Sequence, residues 1–138
     1  MGIMTRADIE KVLEKEPLLT ANGVGGSAFS RHKTRDERLK EFQEDQDWLL
    51  RSEVMCSLCC EWLADKVKIK TINTRHTSYR YKHMVEHASN RYITNGAFIA
   101  AAIHLGFNYK KYRNSPNVTI NISEKSVKEA WDPDALYV

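Results

Sequence analysis

Cys56-x-x-Cys59 and His83-x-x-x-His87 carry the residue types and local spacings of a tetrahedral zinc site, for which thiolate and imidazole are the usual ligands. The 23 residues between the two pairs make a long gap for a zinc finger. Cys56, Cys59 and Cys60 also fall on an amphipathic pattern beside Trp62 and Leu63, where cysteine acts as a small buried hydrophobe. The core reading is therefore preferred, and no metal is expected. A second cluster gathers His76, Tyr79, Tyr81, His83, Glu86 and His87 within twelve residues. Such groups serve as general base and electrostatic clamp in hydrolases and nucleases. Yet the chain has no HExxH and no GxSxG motif, and no paired acids for magnesium. Glu86 is the one carboxylate of its segment, whereas two-metal phosphoryl chemistry needs several. The plain alternative is a helix with polar groups toward solvent and tyrosine rings toward the core. No catalytic residue and no cofactor are assigned, and a metal-dependent hydrolase built on His76, His83, Glu86 and His87 ranks third among the readings.

Charge distribution points elsewhere. Residues 66–113 hold ten Lys/Arg and one acid, residues 1–65 nine basic and thirteen acidic residues, and residues 114–138 two basic and four acidic. A whole-chain charge of +3 thus runs as −4, +9 and −2 along the chain. A field of one sign gathers polyanions or acidic protein faces. The cations are Lys66, Lys68, Lys70, Arg75, Arg80, Lys82, Arg91, Lys110, Lys111 and Arg113, interleaved with Tyr79, Tyr81, Tyr92, Tyr109 and Tyr112. Lysine and arginine neutralise phosphates, and tyrosine hydrogen-bonds to them or stacks on bases. DNA or RNA is the preferred partner for a surface made of these cations with Tyr109 and Tyr112, an acidic host protein surface the second. A solvated basic face is the ordinary alternative.

The elements that must position these groups follow from periodicity. Thr5 begins a short helix that Pro17 stops, and residues 18–33, with Gly23, Gly25 and Gly26, read as a loop. The glycines are followed by no Gly-Lys-Ser/Thr, so they are no phosphate cradle. Thr34 and Glu37 form a capping box before a long helix that runs past residue 60, softened at residues 43–47, with Leu39, Phe42, Leu49, Cys56, Cys60 and Leu63 on one face. Residues 66–72 alternate as a half-buried strand, Val67, Ile69 and Thr71 inward and the lysines outward. Thr77 or Ser78 starts a helix to about residue 90, with Tyr81, Met84, Val85 and Ala88 inside. Asn95-Gly96 permits a hairpin, but the Ala-rich run after it reads better as a buried helix capped by Thr94 or Asn95 and ended by Gly106. Residues 118–122 form a second strand and residues 123–131 a final helix. The expected fold is a helix-rich α+β domain with a small sheet: an N-terminal helix and glycine loop (1–33), a single domain (34–131) and a tail (132–138). The order of elements partly matches a winged helix, with the second wing strand missing. In that comparison the second helix of the central pair offers mostly Ala, Ile and Phe to a groove, so phosphate contacts would dominate.

No apolar run approaches the roughly 20 residues of a membrane span. The first ten residues lack signal-peptide organisation, Arg6 breaks the myristoylation pattern, and one cysteine cluster is no disulfide framework. A cytoplasmic protein without membrane attachment is expected, with an N-terminal arm that could serve a homodimer.

Ser78-Tyr79, Lys82-His83, Glu86, the run Tyr92-Ile-Thr-Asn-Gly-Ala-Phe-Ile-Ala-Ala-Ala, Leu105-Gly106-Phe107, Asn117 and Asn121-Ile-Ser123 form a pattern over about a third of the chain. It resembles small uncharacterised proteins of bacterial phages, plasmids and integrated elements. The resemblance implies an accessory role, as a regulator or an inhibitor of host defence, and assigns no activity to any residue. The reading that combines these points is a non-enzymatic nucleic-acid-binding accessory or regulatory protein of a mobile element. A protein-binding inhibitor of a host defence or nucleic-acid-processing system is the alternative.

Overall fold

The computed structural model describes residues 3–25 and 34–130 of the chain. The elements run α1 (Arg6–Lys15), β1 (Leu19–Thr20), β2 (Gly23–Val24), α2 (Arg35–Leu50), α3 (Glu53–Leu63), β3 (Lys68–Asn73), α4 (Ser78–Ser89), α5 (Asn95–His104), β4 (Tyr109–Lys111), β5 (Val118–Ile122) and α6 (Glu124–Ala130). This is a helix-rich α+β domain with one two-stranded and one three-stranded antiparallel sheet, the latter in the order β3-β5-β4.

Helix α5 lies at the centre. Every residue from Asn95 to Ile103 is buried, as an all-round apolar helix requires. Thr94 caps it, its hydroxyl accepting from the Ala97 N–H at 3.1 Å, and Gly106 at φ +86° turns the chain away after it. Thus residues 95–104 take the helical alternative, not the hairpin. Helices α1, α3 and α4 and the β1–β2 hairpin pack around α5. Ile9 and Val12 of α1, together with Met4, Leu19, Ala21 and Val24, share its core with Cys56, Cys59, Leu63, Tyr81 and Val85.

Several expectations need correction. Residues 19–24 are not loop: Leu19 pairs with Val24 and Thr20 with Gly23 about a two-residue turn. Ala21 and Asn22 form the turn, and Gly23 directly after it takes φ +120°, a conformation open to glycine. Gly26 and the remainder to residue 33 lie outside the described residues. The long helix does not soften at residues 43–47. It breaks at Arg51-Ser52, where the Ser52 hydroxyl bonds back to the Trp48 carbonyl at 2.7 Å. The polar stretch instead serves the hairpin: Gln46 Nε2 donates to the Pro17 and Leu19 carbonyls, and the Asp45 carbonyl accepts from the Ala21 N–H. In consequence Leu39 is exposed, and the core part of the expected stripe is Leu49 at the end of α2 with Cys56, Cys60 and Leu63 of α3. At Thr34 only half of the capping box forms, Glu37 N–H to the Thr34 hydroxyl, while the reciprocal box sits at Thr5 and Asp8.

Third, β3 does not alternate. Val67 and Ile69 are exposed together with Thr71. Lys68 pairs with Ile122 and Asn73 with Ile120, so a bulge in β3 takes up the extra residues and destroys the period of two. Fourth, β4 exists and pairs along β5 from Tyr109↔Ile120 to Lys111↔Val118. Tyr-Lys-Lys has no apolar alternation by which to announce itself. Strand β5 does alternate, but Thr119 and Asn121 are also buried, held by the Tyr112 hydroxyl and by Ile69 and Asn108 of the flanking chain. In α4, Tyr81, Met84 and Val85 face inward and Ala88 does not. Trp131, the expected last residue of the final helix, and the 132–138 tail lie outside the described residues.

The tightest contact in the fold is between α5 and the hairpin. The Gly96 N–H donates to the Ala21 carbonyl at 2.9 Å, and a Cβ on Gly96 would stand 1.8 Å from the Thr20 carbonyl oxygen. Gly96→Ala is expected to cost at least about 3 kcal/mol in urea unfolding, the upper end of ordinary overpacking, because backbone meets backbone. A loss below about 1 kcal/mol would mean that the hairpin does not sit on α5 in this way.

Candidate functional site

The ten cations of residues 66–113 divide into two groups. Lys70, Arg75, Arg80, Arg91, Lys110 and Arg113 are exposed, and among the described residues none of them makes an ion pair. The other four are held by the protein. Lys66 lies 4.2 Å from the Trp62 ring centroid and donates to the Trp62 carbonyl and to Asp65. Lys68 Nζ donates to the Leu105 carbonyl at 2.6 Å, at the C-terminal end of α5. Lys111 Nζ is 2.9 Å from Glu16 Oε1, a buried carboxylate that also accepts from the Tyr109 hydroxyl at 2.9 Å. Burial and the Glu16 bond push the Tyr109 phenol up to about 12. Tyr109 and Lys111 therefore tie β4 to the end of α1, while Tyr112 bonds to Thr119.

Lys82 is the fourth held cation and the centre of a built site. It lies on α4 with its side chain 9% exposed. Its ammonium is 5.0 Å from the Tyr79 ring centroid and 5.5 Å from that of Tyr92, within cation–π range of both. Both rings are open to solvent, at 52% and 62% exposure. Helical spacing puts Tyr79, Lys82 and Glu86 on one face of α4, and Tyr92 follows the left-handed Asn90 that ends the helix at φ 54°. Glu86 Oε1 accepts from Lys82 at 3.4 Å and lies 2.9 Å from His83 Nδ1, and its Oε2 accepts from the Ile93 N–H at 3.0 Å. Burial raises the Glu86 carboxyl, but the Ile93 N–H, Lys82 and His83 outweigh it and hold the group below its ordinary value.

Tyr79, Lys82 and Tyr92 line a cleft of about 550 Å³ whose other walls include Asn22, Thr94, Asn95, Pro116 and Asn117. The capped start of α5, the end of the β4–β5 loop and the turn of the N-terminal hairpin meet there. Asn95 Nδ2 faces three oxygens, Asn117 Oδ1 at 2.9 Å and the Asn22 and Pro116 carbonyls at 3.4 and 3.5 Å. Among the described residues its Oδ1 is buried without a partner. The spacing of Tyr79, Lys82 and Glu86 was visible in the sequence. Asn22 and Asn117, which contact Asn95 from 73 and 22 residues away, carry no local signal.

The other clusters have different fates. Cys56, Cys59 and Cys60 are core residues; burial raises all three thiols, Cys56 to about 12 and Cys60 to about 11. Among the described residues no three His, Cys, Asp or Glu side chains gather so as to hold a metal ion. The histidine cluster is split: His76 Nε2 is 3.9 Å from Glu124, while His83 is on Glu86. Among the described residues no helix is long and apolar enough to cross a membrane. Comparison with protein-family models, with curated proteins and with solved structures finds no match.

Glu86 sets a pH dependence. Its folded carboxyl titrates below its ordinary 4.5, so its contribution to stability is complete above that pH and is lost as pH falls through the folded value. Glu86→Gln, which keeps an acceptor for the Ile93 N–H, is expected to flatten the decline of unfolding free energy below that pH. A decline as steep as the wild type's, in denaturant titrations at matched pH values, would remove Glu86 from this role.

Proposed function

We propose that this chain is a non-enzymatic nucleic-acid-binding accessory or regulatory protein of a mobile element, acting mainly through a cationic surface. The observation that carries the reading is the set of six exposed cations, Lys70, Arg75, Arg80, Arg91, Lys110 and Arg113, that make no ion pair among the described residues. Solvated charges of this kind are available to phosphates, whereas Lys66, Lys68 and Lys111 are occupied within the fold. The run α3-β3-α4-α5-β4-β5 with the sheet order β3-β5-β4 supports the winged-helix-like part of the proposal. Burial of α5 removes the helix that such a domain would lay in a major groove. Recognition then rests on backbone contacts, with weak sequence preference and strong salt dependence. The mobile-element role and the cytoplasmic setting rest on the sequence pattern.

A protein-binding inhibitor is the second reading. It is favoured by an open cleft of about 390 Å³ between α3 and α4, where Val54, Leu58, Trp62, Val85 and Ala88 line the wall beside Glu61, Ser89 and Arg91, with Val54 largely exposed. Apolar surface of this kind serves protein contacts rather than phosphates.

Fluorescence anisotropy with labelled DNA and RNA at two salt concentrations tests the first reading. Reversal of Lys110 and Arg113 to Glu is expected to weaken binding across unrelated sequences and to lower the salt slope by about 2 on duplex DNA, at unchanged stability. Equal affinity of variant and wild type would reject the cationic-surface assignment. Lys111→Glu is expected to act differently, destabilising the fold by placing a second acid beside buried Glu16. Thermal unfolding separates the two effects.

A further inference from the structure

We infer that the cleft between Tyr79 and Tyr92 is a binding pocket for one unpaired nucleotide, its base stacked on the tyrosine rings and an anionic or carbonyl oxygen on Lys82. The inference deepens the nucleic-acid reading and rests on it.

Three features of the cleft point this way. First, the rings of Tyr79 and Tyr92 are largely exposed although a cation stands within cation–π range of both. Exposed aromatic faces beside a positive charge are how proteins hold single-stranded bases, and every base has a face to offer them. Second, Lys82 is more than nine-tenths buried, and its ammonium has three donors. Glu86 takes one at a long 3.4 Å, and no other acceptor among the described residues takes the rest. Glu86 is shared with His83 and the Ile93 N–H, so it does not cancel Lys82 alone. A buried ammonium with unspent donors, facing a cleft, is built to meet an oxygen that arrives from outside. Third, Asn95 and Asn117 form an amide wall. Among the described residues Asn95 Oδ1 is buried without a partner, and Asn117 has its Oδ1 taken by Asn95 while nothing takes its side-chain NH2. An unspent side-chain donor at the cleft wall suits an acceptor on the edge of a base.

The volume, about 550 Å³, lies within the range of small-molecule sites. A base within a duplex is stacked on both faces and cannot enter a cleft between two side chains. The pocket therefore selects an unpaired nucleotide, within a single strand or free in solution. The exposed arginines then serve as a general phosphate surface and the cleft as the element that prefers unpaired strands.

The test compares wild type, Tyr79→Ala/Tyr92→Ala and Tyr79→Phe/Tyr92→Phe on a labelled single-stranded oligonucleotide, on the duplex of the same sequence, and on a free nucleoside monophosphate followed by NMR of the tyrosine and Asn117 resonances. Both tyrosines are exposed, and the Phe pair checks that any loss belongs to the rings. The Ala pair is expected to bind the single strand at least about ten-fold more weakly, in line with stacking losses per base, with duplex affinity within about two-fold and the Phe pair close to wild type. If single strand and duplex weaken alike, or neither changes, the pocket is overturned while the cationic surface stands. If wild type binds neither polymer at low salt, the nucleic-acid reading fails, and the monophosphate then decides the cleft. Shifts confined to cleft residues would establish a pocket for a free nucleotide, and no shifts would overturn it.

Discussion

The burial of α5 is the constraint on which the remainder of the structure depends. A ten-residue helix made mostly of alanine, isoleucine and phenylalanine has no face for water, so it must be covered on every side. Its alanines and Gly96 leave room for close neighbours, and α1, α3, α4 and the hairpin occupy that room. Once the helix is enclosed, its two ends become the places where polar chemistry survives. At the N-terminal end, Thr94, Asn95 and the turn residue Asn22 form part of the wall of the cleft. At the C-terminal end, Lys68 satisfies the Leu105 carbonyl. The arrangement accounts for how a chain with a helix pair in the expected place for groove reading nevertheless keeps that helix as core.

The parts of this fold that were legible in the sequence are those governed by local rules. Thr5, Thr34, Thr77 and Thr94 stand at helix starts because a residue before a helix needs a short side chain with an acceptor or an extended backbone, and three of the four make the capping bond. The Ala-rich run, the Tyr81-Met84-Val85 face and the alternation of Val118, Ile120 and Ile122 were read from periodicity alone. The parts that were not legible depend on distant partners. The break at Ser52 looks like any serine until its hydroxyl meets the Trp48 carbonyl. The bulge in β3 exists because β5 dictates the register. A two-residue strand such as β1 has no periodicity to detect.

The candidate site was legible in the same uneven way. Charge counting located the basic segment, and the helix spacing of Tyr79, Lys82 and Glu86 was present in the residues. What counting could not do was separate one lysine from another. Lys110 and Lys111 are neighbours in sequence, yet Lys111 meets Glu16 from 95 positions earlier, while Lys110 is exposed beside Tyr112, its Nζ 5.4 Å from the ring centroid. Lys66, four residues after Trp62, meets that ring, its carbonyl and Asp65, whereas Lys70 stands exposed in β3. The distinction between a structural and an available cation is a property of the partner, so it appears only once the chain is folded.

Strand β3 has a consequence beyond binding. It is an edge strand, as β4 is on the other side, and an open edge invites another chain to extend the sheet. This edge is spoiled for that purpose: it is bulged, exposed on both faces and studded with Lys68 and Lys70, while β4 is only three residues long and carries two lysines. Charge on the rims of the sheet thus disfavours edge-to-edge pairing between copies of the molecule. Neutralising the exposed Lys70 and Lys110 would remove that barrier and open the rims of the sheet to pairing with another copy.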